Sequence, residues 1–468
     1  MLRRLLDSPR TYFILAGLLL LVGIASQIEV RRPARPAGGL AELSALRERQ
    51  DLNVVFLLID ALRADRLGVA GYGRPTSPNL DGLARSGVRF ARARAPSSWT
   101  KPSMASLLTA TSPSTNRILR WEDTVPEAAT LPAEIFHGAG LRTLGLYRND
   151  WLAPHFGFGQ GFDSYYTPRV FAQSEPLRRN SPNLGAGLQG SDADITQAAT
   201  QFLRSFGRDR FFLYLHYMDV HQYASEASGP TFGTSHSDFY DSAIAWVDRN
   251  VGEVVAELER LGLASRTLIV ITSDHGEEFG EHGGEGHGRT LYHEVTDVPW
   301  ILVPPFRLEP GIVVETSVSS LDIFPTVLDL MGLPPLPGAE GRSALPLIEA
   351  AIRGASSSPG LDRPAFAALD RSWGQRGATA NRIASVVTDD ARLIRALDVP
   401  APLELFALAS DPLERANVAG SENVARDRLE DLLTRHLEQP GPSWGEAKPV
   451  QLDRMSLDQL RALGYVVQ

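Results

Sequence analysis

Two short apolar runs in this chain end in carboxylates. Leu52-Asn-Val-Val-Phe-Leu-Leu-Ile delivers Asp60, and Thr267-Leu-Ile-Val-Ile-Thr-Ser delivers Asp274, followed by His275, Gly276 and Glu277. Continuous Val/Ile/Leu/Phe runs suit parallel strands covered on both faces. Open α/β sheets build their sites at the carboxyl ends of such strands. Asp60 and Asp274 brought together would repel each other unless a cation lay between them, and His275 can turn toward the same ion. Two carboxylates and an imidazole suit one Mn²⁺ or Zn²⁺ better than Ca²⁺, which prefers an all-oxygen shell and is the remaining candidate. The competing reading is an ordinary strand end with solvated polar residues.

A nucleophile stands in Ser97-Ser98-Trp99-Thr100-Lys101-Pro102-Ser103, which reads as a loop entering a helix. Pro102 suits a first helical turn, and the Ser/Thr residues before it can cap. Thr100 would then lie where free N–H groups and the helix dipole favour an alkoxide and a bound oxyanion. A hydroxyl is a weak nucleophile until a base or metal activates it, and simple capping by Ser98 or Thr100 is the plainer reading. Lysine occurs only at Lys101 and Lys448. An ammonium at Lys101 would lower the Thr100 pKa and attract an anionic substrate; a solvent-facing Lys is the alternative.

Together these segments resemble the sulfatase branch of the alkaline phosphatase superfamily. The resemblance extends through Gly71-Tyr72-Gly73, Thr76-Ser77-Pro78-Asn79, Gly157-Phe158-Gly159-Gln160-Gly161-Phe162-Asp163, His282-Gly283, His287-Gly288-Arg289 and Leu321-Asp322-Ile323-Phe324-Pro325, to Leu463-Gly464-Tyr465. It implies that Asp60, Asp274 and His275 bind the metal with the Thr100 oxygen. It implies further that His221 contacts the substrate near its leaving group and that His287 binds the anion. His216 reads as structural, and His282 and His293 as outer partners of the metal site. Asp65, Asp219 and Asn149 are not fixed by any spacing.

The chain departs from the family in four places. Sulfatases carry a Cys, oxidised to formylglycine, where Thr100 stands, and an Arg where Met104 stands. A second Asp is replaced by Ala61, and a common Asn by His275. There is no Cys at all. In these features the chain is similar to the superfamily's threonine-nucleophile members, which act on phosphate and phosphonate esters and phospholipid head groups. The expected function is a metal-dependent hydrolase or transferase of phosphate-type esters. The alternatives are a sulfatase using Thr100 directly and a catalytically silent membrane-anchored binding protein. The substrate would be an anionic ester of a small molecule, lipid head group or glycan.

The elements that must position these residues alternate. Strands are expected at 54–59, 142–147, 211–217, 267–272 and 300–303, and helices at 79–86, 103–109, 131–139, 192–206, 238–261 and 322–331. That alternation predicts an α/β doubly wound, mostly parallel central sheet with helices on both faces. The catalytic domain is expected over 51–345, and a C-terminal α+β subdomain and tail over 346–468, with a helix near 424–437. Polar, turn-rich 168–190 reads as a lid over the site. A net charge of −9 argues against nucleic acid as a partner. The absence of Cys excludes disulfides and thiolate metal sites.

Basic Met1–Arg10 precedes apolar Thr11–Ser26. We read 1–30 as a signal anchor rather than a cleaved signal peptide, and 31–50 as a linker. The catalytic domain would then face outward from the cell membrane into the periplasm; secretion after cleavage is the alternative.

Overall fold

The computed structural model describes residues 35–170, 175–176, 190–225, 229–355, 363–374, 378–442, 444–445 and 449–450. The apolar N-terminal segment, the Leu463-Gly464-Tyr465 motif and most of the expected lid lie outside them. Among the described residues no helix is long and apolar enough to cross a membrane.

The main sheet consists of β1 (Asn53–Ile59), β2 (Val88–Arg94), β3 (Arg142–Leu146), β4 (Ser164–Tyr166), β5 (Phe211–Tyr217), β6 (Thr267–Thr272), β7 (Asp297–Val303), β8 (Ile312–Val314) and β9 (Val318–Ser319). Its spatial order is β8-β2-β7-β6-β1-β5-β3-β4, with β9 also on β2. Every pairing is parallel except the two made by β7, which runs against β2 and β6.

The apolar run of β1 is buried at all seven positions because both faces are covered. Val54, Phe56 and Leu58 pack into one core with Met104, Leu107, Phe324 and Val327. Val55, Leu57 and Ile59 pack into the other with Ile195, Phe202, Ile244, Val247 and Val251. Each such side chain contributes on the order of 2 kcal/mol. Helix α1 (Thr100–Thr109) therefore lies on one face, and α2 (Asp192–Phe206) and α3 (His236–Arg260) on the other. The 3.6-residue stripe of α3 packs as core.

A second sheet, β10 (Ala365–Asp370), β11 (Arg382–Val387), β12 (Ala391–Ala396) and β13 (Glu404–Ala407), is antiparallel throughout. Helix α4 (Asn423–Leu437) covers it through Leu429 and Leu433. This sheet reaches back to the main domain at several points: Trp373 Nε1 donates to Gly288 O at 2.8 Å, and Arg392 donates to Leu291 O at 2.7 Å and to Thr296 Oγ1 at 2.8 Å.

Two expectations need correction. The stretch read as a linker contains a helix, Leu40–Ala45. Leu43 and Leu46 are buried in the β1 core, and Gly38 N donates to Arg307 O at 2.9 Å. Leucines at 40, 43 and 46 share one helical face, and that apolar face outweighs the Pro/Gly punctuation before it. The other omission is β2. In Val-Arg-Phe-Ala-Arg-Ala-Arg, three of the seven residues are arginine, yet Phe90 stacks on Trp300 with centroids 3.7 Å apart.

Candidate active site

The carboxyl ends of four adjacent parallel strands converge on one buried cluster. Asp60 follows β1, Asn149 lies just beyond β3, His216 is near the end of β5, and Asp274-His275 follow β6. The β1–β5 register sets His216 beside Leu58, so its side chain reaches the carboxylate two residues on.

The two oxygens of Asp60 have different surroundings. Oδ2 accepts from Asn149 Nδ2 at 2.8 Å and lies 3.0 Å from His216 Nε2 and 3.4 Å from the Thr100 hydroxyl. Tyr214 OH sits 2.8 Å from the other nitrogen of His216, so the ring accepts from the phenol and donates to Asp60. Oδ1 is buried without a hydrogen-bond partner, as is Asp274 Oδ2. These two bare oxygens lie 3.5 and 3.4 Å from His275 Nε2. The His275 Nδ1 is 2.9 Å from Gly276 O. Nδ1 therefore carries the proton and Nε2 keeps its lone pair, the arrangement usual for a metal-ligating histidine.

The charges in this cluster are unbalanced without a cation. Burial would raise Asp60, but His221, the bond from His216 and His275 together hold it below the usual carboxylate range. Burial and the nearby Asp60 push Asp274 up. Burial opposes the charged form of His275, yet Asp274 and Asp60 raise its pKa. One atom each from Asp60, Asp274 and His275 lies within 4.8 Å of the others, the single such group among the described residues. Two orphaned carboxylate oxygens facing a bare imidazole nitrogen fit a divalent ion.

Thr100 is the first residue of α1, and its hydroxyl does not cap that helix. The N-cap is Trp99, which offers no side-chain bond. The Thr100 Oγ1 instead lies 3.4 Å from Asp60 Oδ2, 3.4 Å from His275 Nε2 and 3.2 Å from Asn149 Nδ2. Pro102 sits in the first turn, as read, and Ser103 Oγ donates to Asp274 O at 2.5 Å, pinning the helix start to the metal-side loop.

His221 and His287 are also brought in. Their rings are 4.8 Å apart, and His287 lies 4.4 Å from His275. Burial lowers His221 to about 4, and burial with the His275 charge lowers His287 well below its ordinary value. His287 Nδ1 is 3.3 Å from both oxygens of Glu277, whose own pKa burial raises to about 7.

Lys101 is not brought to this cluster, contrary to expectation. It is fully buried, donates to Trp121 O, and lies 3.3 Å above the Phe156 ring centroid and 5.3 Å from that of Trp151. Its charged neighbours are Asp123 and Glu122, and burial depresses its pKa. The residue after Thr100 points to the other side of the helix start, among aromatic rings. His282 and His293 likewise bond elsewhere. His282 Nδ1 is 2.6 Å from Glu294 Oε1 and Nε2 is 2.8 Å from Glu414 O, while His293 Nδ1 is 3.0 Å from Glu294 Oε2. They tie the main domain to the C-terminal region rather than supporting metal ligands. Asp65 pairs with Arg63 at 2.7 Å, and Asp219 with Arg148 at 2.5 Å.

The sequence reading left Asn149 unassigned, took His216 as merely structural and gave Glu277 no role. Asn149 and His216 stand at the carboxyl ends of β3 and β5, but what brings them to Asp60 is the order of the strands, which no local pattern carries. Glu277 had no signal beyond its nearness to His275.

The Sulfatase family model matches residues 52–333. The chain belongs to the sulfatase family. Sulfatases are metal-dependent ester hydrolases, and the Asp60, Asp274 and His275 group could hold such an ion. The steryl-sulfatase of Rattus norvegicus is 36% identical over 175 residues, covering 34% of this chain and 30% of that protein. The N-acetylgalactosamine-6-sulfatase of Canis lupus familiaris is 27% identical over 372 residues, 70% of each chain. The chain thus spans about a third of the first relative's length and 70% of the second's. Among solved structures, the phosphonate monoester hydrolase of Agrobacterium radiobacter superposes with a TM-score of 0.65 at 20% identity, covering 82% of this chain and 96% of that one. These likenesses establish the alkaline phosphatase-like sulfatase fold.

Proposed function

We propose that this sulfatase-family protein hydrolyses, or transfers groups from, phosphate-type esters through Thr100 as the nucleophile. The observation that carries the reading is the Thr100 hydroxyl, turned from its own helix toward Asp60 Oδ2 and His275 Nε2 at 3.4 Å. A divalent ion bound by Asp60, Asp274, His275 and the Thr100 oxygen would supply hydroxyl activation and charge stabilisation on the ester oxygens.

The chain's own groups do the rest. Asn149 fixes the Thr100 oxygen and Asp60 with one amide. His216 holds Asp60 so that its free oxygen faces the metal position. His221 or His287 assists the leaving group, and the N-terminus of α1 favours the anion. Attack by Thr100 forms a phospho-threonine, which water or an acceptor alcohol resolves.

Phosphorus is favoured over sulfur by the absence of Cys. Formylglycine has a geminal hydroxyl that expels sulfate by hemiacetal collapse; threonine has none. A sulfuric ester specificity using Thr100 directly is the second reading, supported by the 27% identity to an N-acetylgalactosamine-6-sulfatase. The test compares kcat/KM for phosphate, phosphonate and sulfate esters of the same leaving group. Phosphorus esters should be faster, with all turnover lost in Thr100→Ala. Faster sulfate hydrolysis, also lost in Thr100→Ala, would overturn the phosphate preference. No turnover by metal-loaded protein would favour the silent binding protein. Membrane anchoring through 11–26, with the catalytic domain facing the periplasm, is proposed alongside. Release of full-length protein by a carbonate wash would refute it.

A further inference from the structure

His287 stands between two glycines, Gly286 at φ +94° and Gly288 at φ +74°. Both take left-handed backbone that most residues avoid, and a glycine on either side leaves the histidine's own stretch loosely determined. Its position has to be fixed from outside. Upstream, Gly286 pairs in register with Glu278. Downstream, the hold comes from a distant part of the chain, the turn that follows β10 in the second sheet.

That turn bonds two successive carbonyls of the His287 segment. Trp373 Nε1 donates to Gly288 O at 2.8 Å, and Arg371 Nε donates to Arg289 O at 2.7 Å. The indole lies so close that a Cβ at position 288 would fall 2.9 Å from its ring. The turn is held in its own right. Trp121 donates its backbone N–H to Trp373 O at 3.0 Å and its Nε1–H to Gly374 O at 2.9 Å. The buried carboxylate of Asp370 accepts from Ser372 N at 2.9 Å, Ser372 Oγ at 2.7 Å and Asn381 N at 3.1 Å. Trp373 has φ +51°, a conformation that a bulky side chain adopts only when its surroundings impose it. The same indole meets Trp99, the residue before Thr100, with ring centroids 6.2 Å apart. One side chain of the second sheet therefore touches both the neighbour of Thr100 and the neighbour of His287.

We propose, building on the roles given above to Thr100 and His287, that Trp373 is a positioning residue that sets the His287 turn against the start of α1. The second sheet then completes the active site without placing a group on the substrate. Trp373 touches no reacting atom; it acts through Gly288 O and the Trp99 ring. The indole N–H carries the effect rather than the bulk of the ring, because the hydrogen bond is what fixes the direction of the Gly288 peptide.

The test is a double-mutant cycle on metal-loaded full-length protein, read as kcat/KM for 4-nitrophenyl phosphate. Trp373→Phe keeps an aromatic ring against Trp99 and removes the donor. It should lower kcat/KM roughly ten- to hundred-fold, the scale of a reacting group displaced by about 1 Å. In a His287→Ala background the same substitution should change kcat/KM by less than about two-fold, since nothing remains for the bond to position. Arg371→Met, at an exposed position, loses only the parallel bond and should repeat the pattern with a loss of about three- to ten-fold, which keeps the cycle readable if Trp373→Phe does not fold. Independently of activity, amide exchange should quicken over residues 286–291 and not across the main sheet. Equal losses in the two backgrounds, or exchange that quickens throughout, would mark an ordinary packing role and overturn the proposal. So would wild-type kcat/KM in Trp373→Phe, or a His287→Ala protein that loses nothing. Thr100→Ala is assayed alongside: turnover that survives there overturns the nucleophile, while coupling between positions 373 and 287 still upholds the positioning role.

Discussion

Removing the guanidinium of Arg148 should unseat two loops of the candidate site at once. Arg148 precedes Asn149 and is buried against Asp192 at 2.9 Å, Asp219 at 2.5 Å, Gly190 O at 2.7 Å and Gln222 Oε1 at 3.2 Å. Asp192 is the first residue of α2, and Asp219 lies two residues before His221. Arg148→Met fills similar volume but leaves two buried carboxylates without their cation. Breaking a buried pair by deleting one partner costs about 3–5 kcal/mol. With an unfolding entropy of roughly 2.1 cal/mol/K per residue taken over the roughly 380 described residues, the melting temperature should fall by about 4–6 °C.

The loss should depend on pH in a defined sense. Burial and then the Asp219 charge raise Asp192 to about 7, against the pull of Arg148. A carboxyl whose folded pKa lies above its unfolded value binds more protons folded, so its contribution to stability falls as pH rises from about 4 to about 7. At pH 5 Asp192 is protonated in both proteins; at pH 8 only the wild type has a cation for it. The deficit of Arg148→Met should therefore be larger at pH 8 than at pH 5, by about 1 kcal/mol or more for each unit that Asp192 rises further. Scanning calorimetry at the two pH values reads this directly. A deficit under about 1 kcal/mol, or one independent of pH, would refute the reasoning.

Three other outcomes are expected. Asp274→Ala should lose the bound divalent ion by metal analysis of the purified protein, because it removes one of the two oxygens with no other partner; full metal content in that variant would contradict the ligand set. Lys101→Met should raise the melting temperature at pH 7, since burial disfavours the ammonium, and should leave kcat/KM within about three-fold; a large loss would return Lys101 to the catalytic list. His293, raised to about 9 by Glu294 and Glu414 against burial, contributes stability that is complete below about pH 6.5 and lost as pH rises through about 9. His293→Gln should flatten that decline, on the order of 1–3 kcal/mol, in denaturant midpoints taken between pH 7 and 10.

The sheet's centre was legible because its strands are buried on both faces, and an uninterrupted apolar run has few other interpretations. β5, β6 and α2 begin and end at the residues read from sequence. β2 was hidden by its arginines, which lie along a partly exposed strand and leave no apolar run. In the site, Asp60, Asp274 and His275 could be read because each terminates such a strand. Asn149 and His216 could not, since their contact with Asp60 depends on which strands are neighbours, and the order β6-β1-β5-β3 is not written in any local pattern. Lys101 misled because adjacency to Thr100 in sequence is not adjacency in space. At the first turn of a helix consecutive side chains diverge by roughly 100°.

Every residue of α1 is buried, Thr100 included. A maturation enzyme would have no access to position 100 once the chain had folded, so any chemical conversion there would have to precede folding and compete with it. On the proposed reading of Thr100 as the nucleophile, no such conversion is needed. The timing conflict disappears, and yield of competent protein in a foreign host should depend on folding alone, with no auxiliary oxidising system to co-express.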